Sequence, residues 1–151
     1  MTGMKFTMTG FTTLYIVRHA EKAIAEPDPA LTERGRRRAL ALAHRMAEVA
    51  LDAIWSTDWL RTVETVTPTA RLHVLNIQVY ATQQGPDLCR EIVGRPASTV
   101  LIAAHSNTID ELMDALALTL PFKLDESRYG DLLIVTIEAG KAKLQLDRFG
   151  P

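Results

Sequence analysis

Three polar groups follow directly on apolar, β-rich runs. Arg18-His19 follows Leu14-Tyr15-Ile16-Val17, Thr57-Asp58 follows Ala53-Ile54-Trp55-Ser56, and His105-Ser106-Asn107 follows Thr99-Val100-Leu101-Ile102-Ala103-Ala104. Arg61 comes shortly after the second group. Arginine offers planar, bidentate donors to anionic oxygens and stays charged at any working pH. A neutral imidazole can attack through one ring nitrogen while a carbonyl or carboxylate holds the N–H of the other. Two of each at one edge would suit a phosphoryl group in transfer. Its charge spreads over three equatorial oxygens, and its catalysis is mostly positioning and charge stabilisation. Singly, a histidine or arginine at a strand end is usually structural, so the reading depends on whether the fold gathers them.

The elements that must do so alternate. Residues 14–17 form a short run typical of a strand buried on both faces. The Glu26-Pro27-Asp28-Pro29-Ala30 stretch is loop chemistry. Thr32 reads as an N-cap for a helix with Ala39, Leu42, Met46 and Val49 on its apolar face. Arg36, Arg37, Arg38, Arg45 and Glu48 fall on the other face; the triple arginine could form a phosphate-binding patch, but a solvated helix face is the expectation. A strand is expected over 53–56 and a helix from about Trp59 to Pro68 or a little beyond. A third short strand covers 77–80. Gly85-Pro86 reads as loop, with Asp87 capping a short helix through Val93. Residues 99–104 are the strongest strand signal. A helix follows from Asn107, with Ile109, Leu112, Met113 and Leu116 inward. Residues 132–137 and 143–146 flank Ala139-Gly140 as a terminal hairpin. This order predicts an α/β fold, a three-layer α/β/α sandwich with a mainly parallel central sheet. Ligands in such folds sit beyond the carboxyl ends of the strands, where all three polar groups stand.

Composition bounds the rest. The 151 residues predict one domain, residues 1–151, with a core about 13–148. Apolar residues make up 47% and charged residues 23%, which excludes a disordered or collagen-like chain. The 17 basic and 18 acidic residues leave a net charge of −1, so no global field recruits nucleic acid or a membrane surface. Cys89 is the one cysteine, so no internal disulfide or thiolate zinc cage forms, and no metal-ligand pattern links the histidines. No apolar run approaches the ~20 residues that span a bilayer. A secretory leader is not expected in residues 1–17, where the apolar run flows straight into Arg18-His19. The expectation is a cytoplasmic protein. The Phe11 region and terminal hairpin could pair across a dimer, but nothing in the sequence requires it.

Arg18-His19-Ala20-Glu21 resembles the R-H-G-E signature of the histidine phosphatase superfamily, which includes the phosphoglycerate mutases. Leu31-Thr32-Glu33-Arg34-Gly35 resembles its L-T-x-x-G helix start. Ser56-Thr57-Asp58-Trp59-Leu60-Arg61-Thr62 resembles its S-S-D-L-x-R-A stretch. Ala104-His105-Ser106-Asn107 resembles G-H-x-N, and Tyr129-Gly130-Asp131 fits its short members. The resemblance implies the phosphoglycerate mutase-like fold and a phosphohistidine intermediate at His19, hydrolysed by water. It implies no metal and no other cofactor. Arg18, Arg61 and His105 would bind the phosphoryl oxygens, helped by backbone N–H groups at Ser106 and Asn107. The partner would be a phosphorylated small molecule or a phosphoprotein.

The sequence departs from that pattern in three places. Ala20 and Ala104 stand where the family has glycine. The family's phosphomonoesterases also carry a Glu after the third strand, where this chain reads Ala81-Thr82-Gln83-Gln84-Gly85-Pro86-Asp87. Asp87 and Glu21 are the alternative proton donors. Without an effective acid, good leaving groups are favoured: phosphoramidates, acyl phosphates or aryl phosphates. The short members include phosphohistidine phosphatases, and a chain too short for a sizeable cap implies an open site. Small phosphomonoesters remain an alternative substrate class. The rival readings are a mutase and a phospho-ligand-binding module without turnover. Gly35 is expected to serve close packing, and Trp55 and Trp59 to serve as core or pocket wall.

Overall fold

The computed structural model describes residues 11–24, 27–95 and 97–150; residues 1–10, 25–26, 96 and 151 lie outside that set. Strand β1 (Thr12–Arg18) is buried on both faces, as its unbroken apolar run requires. Its side chains alternate, Leu14 and Ile16 to one side and Val17 to the other. Helix α1 (Glu33–Arg45) starts at Thr32, whose Oγ1 accepts the Gly35 N–H at 3.0 Å. The helix stops at Arg45, so Val49 packs from the following turn rather than from the helix.

The chain continues through β2 (Ala53–Thr57), α2 (Leu60–His73), β3 (Ile77–Tyr80), a 3₁₀ turn (Thr82–Gln84) and α3 (Gly85–Val93). It then forms β4 (Thr99–Ala104), α4 (Ser106–Ala115), β5 (Asp131–Glu138) and β6 (Lys141–Arg148). Helix α2 runs past Pro68 to His73, because Thr69 and Ala70 beyond it are buried in the core. Gly85 and Pro86 form the first turn of α3 rather than a loop, with Pro in the position where its missing N–H does no harm.

The six strands form one sheet in the order β3-β2-β4-β1-β5-β6. The first four are parallel, and β5 and β6 close the edge antiparallel. The path from β1 to β2 to β3 runs one way across the sheet and β4 returns between them. Right-handed crossovers therefore put successive helices on opposite faces when the direction reverses. Accordingly Leu42 of α1, Met46 at its C-cap and Val66 of α2 pack under Ile54 and Leu101. Cys89, Ile92, Ile109 and Leu112 of α3 and α4 pack over Leu14, Ile16 and Ile102. This is the expected three-layer sandwich. The terminal hairpin also forms, with Ala139 (φ 54°) and Gly140 (φ 77°) in the left-handed region that a tight two-residue turn needs. No helix of the described residues is long and apolar enough to cross a membrane.

Candidate active site

Register brings the two histidines level. Arg18 pairs with Ala104 across the parallel β1–β4 ladder, so the residue after each strand emerges at the same height. The His19 N–H donates to Ala104 O at 3.0 Å, carrying the ladder one step past the strand. The rings of His19 and His105 lie 5.6 Å apart, tilted by 58°. Both residues are buried, at 4% and 7% exposure.

His19 Nδ1 lies 2.7 Å from Ala20 O. A carbonyl only accepts, so Nδ1 carries the proton and Nε2 keeps its lone pair. Burial lowers the His19 pKa from 6.5 to about 3, with the Arg18, His105 and Arg61 charges adding to it and the Ala20 hydrogen bond opposing. His105 Nε2 lies 2.9 Å from Thr57 Oγ1, which meets Thr62 Oγ1 at 2.6 Å. Burial, then Arg61 and Arg18, lower the His105 pKa to about 4. At neutral pH both rings are therefore uncharged bases beside two fixed cations.

The cations are anchored differently. Arg18 Nη1 donates to Asp125 O, Glu126 O and Arg128 O at 3.1, 3.2 and 2.7 Å. Its guanidinium lies 4.3 Å from the centre of the Tyr129 ring, which also meets His19 edge-on. Arg61 rises from the first turn of α2 over the Trp59 ring at 4.7 Å, and Trp59 in turn meets the edge of His105. The Nε–H groups of Arg18 and Arg61 are buried with no acceptor among the described residues. A buried donor without a partner is costly, and an anion between the two forks would supply one. Helix α4 begins at Ser106, so the Ser106 and Asn107 N–H groups have no intrahelical acceptor and lie beside His105.

The two expected proton donors are placed otherwise. Glu21 holds Arg38 through paired contacts of 2.9 and 3.0 Å and also accepts from Arg34 at 3.1 Å. Burial pushes its carboxyl up, but hydrogen bonds from Arg38, its own backbone and Arg34 outweigh that and hold it below the ordinary carboxylate value. Its carboxyl is therefore ionised at neutral pH. Asp87 does not cap α3, which starts two residues earlier, at Gly85; its carboxylate is exposed and pairs with Arg90 at 2.9 Å. Arg38 is a further correction. Expected on the solvated face of α1, it is 5% exposed, and besides Glu21 it donates to Phe149 O at 2.9 Å.

Thr57, marked in the sequence only as part of a polar strand end, joins the site through His105, and Thr62 and Tyr129 join it without having been singled out individually as site residues. Trp59 forms a pocket wall, as expected, while Trp55 packs against the core. The loop after β1 is tied down by Ala20 N–H donating to Thr65 Oγ1 at 2.8 Å and Thr32 N–H to Glu21 O at 2.9 Å.

Residues 14–84, which hold Arg18, His19 and Arg61 but not His105, match the histidine phosphatase superfamily (branch 1). No curated protein matches the chain. Among solved structures, Bacillus stearothermophilus YhfR aligns over 90% of this chain and 96% of its own, with 21% identity and a TM-score of 0.74. A mycobacterial glucosyl-3-phosphoglycerate phosphatase aligns over 91% and 98%, with 14% identity and a TM-score of 0.71. The putative phosphohistidine phosphatase SixA from Agrobacterium tumefaciens aligns over 92% and 98%, with 22% identity and a TM-score of 0.66. At these identities the likeness is one of fold.

Proposed function

Because the chain has the histidine phosphatase fold and its residues 14–84 match that superfamily, we propose that it hydrolyses a phosphoryl group through a phosphohistidine at His19. One observation carries this reading: two neutral imidazoles 5.6 Å apart lie beside two arginines whose Nε–H groups are buried without an acceptor among the described residues. His19 Nε2 attacks phosphorus as the bond to the leaving group breaks. Water then attacks the phosphohistidine, releasing inorganic phosphate and returning the lone pair to Nε2. Arg18, Arg61, His105 and the Ser106 and Asn107 N–H groups hold the phosphoryl oxygens through both steps. Ionised Glu21 holds Arg38 and the loop after β1 rather than donating a proton.

The same observations favour a leaving group that departs without strong acid assistance. Phosphohistidine or another phosphoramidate fits best, and a small phosphomonoester is the second substrate class. Protonation of a poor leaving group is typically worth 10²–10⁴-fold. A phosphohistidine peptide should therefore exceed an alkyl phosphomonoester in kcat/KM by about 10²-fold or more. Steady-state phosphate release from both, with folded His19→Ala as the blank, tests this. Comparable rates would show that a proton donor operates and would turn the reading to small phosphomonoesters. Release no faster than from His19→Ala would overturn the hydrolytic reading in favour of binding without turnover.

A further inference from the structure

Beside Tyr129, on the Arg18 side of the histidines, lies an open cavity of about 640 Å³. That is within the roughly 300–1,000 Å³ of small-molecule sites. Its charge differs from that of the chain as a whole, which is −1. Arg34, Arg38, Lys123, Arg128 and Arg148 line it against two carboxylates, Glu21 and Asp125. Internal pairing uses part of this charge. Glu21 takes Arg38 and Arg34, while Asp131, behind the wall, takes Arg128 and Arg148. The Asp125 carboxylate accepts from the N–H and hydroxyl of Ser127. Positive charge is left over, and it is accessible. Lys123 is exposed and enters no ion pair among the described residues, and Arg34 spends its Nε–H on Glu21 while its side chain stays 60% exposed.

The cavity adjoins the phosphoryl site through Tyr129 and the loop before it. Tyr129 lines the cavity and also lies under the Arg18 guanidinium and edge-on to His19. The loop supplying Asp125 and Arg128 is the one whose carbonyls hold Arg18 Nη1. We propose that this cavity is a second anion subsite of the same active site, taking a carboxylate or phosphate carried on the leaving group. Lys123 and Arg34 supply its free donors, and the Arg38–Glu21 pair forms its floor. The proposal rests on the phosphoryl reading above for the first subsite.

The test compares 3-carboxyphenyl phosphate with phenyl phosphate, whose leaving groups depart with similar ease. Wild-type kcat/KM should favour the carboxylated probe by about two- to fivefold, the scale of one partly exposed charge pair. Lys123→Met should remove most of that preference, with phenyl phosphate turnover and the melting temperature unchanged, and adding Arg34→Met should remove the remainder. A parallel pair of phosphohistidine peptides, flanked by glutamates or by glutamines, locates the source of the anion. A Lys123-dependent preference in the aryl pair assigns it to a small substrate, and one in the peptide pair alone to a protein. Calorimetric binding of both aryl probes to His19→Ala, with and without Lys123→Met, reads the subsite without turnover. If wild type releases no phosphate but His19→Ala binds the carboxylated probe more tightly through Lys123, the subsite stands and the hydrolytic reading falls. No Lys123-dependent preference in either turnover or binding overturns the subsite.

Discussion

His19 and His105 hold their rings neutral against two neighbouring guanidinium groups, and this has a consequence for stability. Above pH 6.5 both rings are uncharged in the folded and the unfolded chain and contribute nothing to the pH dependence. Below 6.5 the unfolded chain takes up protons that the folded state refuses down to about 4 at His105 and about 3 at His19. Stability therefore falls as the pH is lowered, by about 2–4 kcal/mol between pH 7 and pH 5 for the two rings together, the lower figure allowing for solvent screening. Urea unfolding across that window should show the loss, and a folded His19→Gln/His105→Gln variant should show a flatter dependence. An equal slope in both proteins would contradict it. The window ends above the range in which Glu21, whose pKa is held below 4.5, would begin to lose its contribution.

At the scale of elements, the site depends on how closely α1 approaches the loop after β1. Gly35, in the first turn of α1, sits against the Glu21 backbone, and a Cβ there would lie 2.1 Å from Glu21 O. Neither backbone can yield cheaply, since Thr32 N–H donates to that same carbonyl. Gly35→Ala should cost about 1–3 kcal/mol in urea unfolding. It should also lower kcat, because the displaced loop carries the Ala20 carbonyl that sets the His19 tautomer. Wild-type stability and turnover in that variant would show that helix and loop are not so coupled. Helix α2 makes a related point. Pro68 removes one backbone donor, yet the helix continues because burial of Thr69 and Ala70 outweighs the loss.

At the scale of the whole molecule, the C-terminal strand secures the opposite end of the chain. Arg148 pairs with Asp131 and donates to Tyr129 O, while Phe149 is buried and its carbonyl accepts from Arg38. Without β6, strand β5 would become an exposed edge with apolar residues along it. A chain ending at Glu138 should therefore fail to give a cooperative unfolding transition, with weakened near-UV circular dichroism and a tendency to aggregate. A cooperative, monomeric truncation with wild-type phosphate release would show that the hairpin is dispensable.

How much could be read without coordinates differed by residue. The apolar runs at 14–17 and 99–104 and the cap at Thr32 are local signals, and each lies inside or beside an observed element. Alternating strands and helices implied the parallel sheet, so the strand ends carrying His19 and His105, and the start of α2 carrying Arg61, could be gathered by rule. Arg38 escaped because helical periodicity reports which face a residue occupies, not whether a distant carboxylate and the carbonyl of Phe149 wait there. Glu21 and Asp87 remained proton-donor alternatives for the same reason: a carboxyl's ionisation depends on neighbours brought from elsewhere in the chain. The order of residue types by itself determined the α/β alternation and the set of basic groups at the strand ends, because both follow from period and adjacency. Only the tertiary structure decided the His19 tautomer, the engagement of Glu21 by arginine and the basic cavity beside Tyr129, because each requires side chains from several elements within hydrogen-bond or Coulomb range.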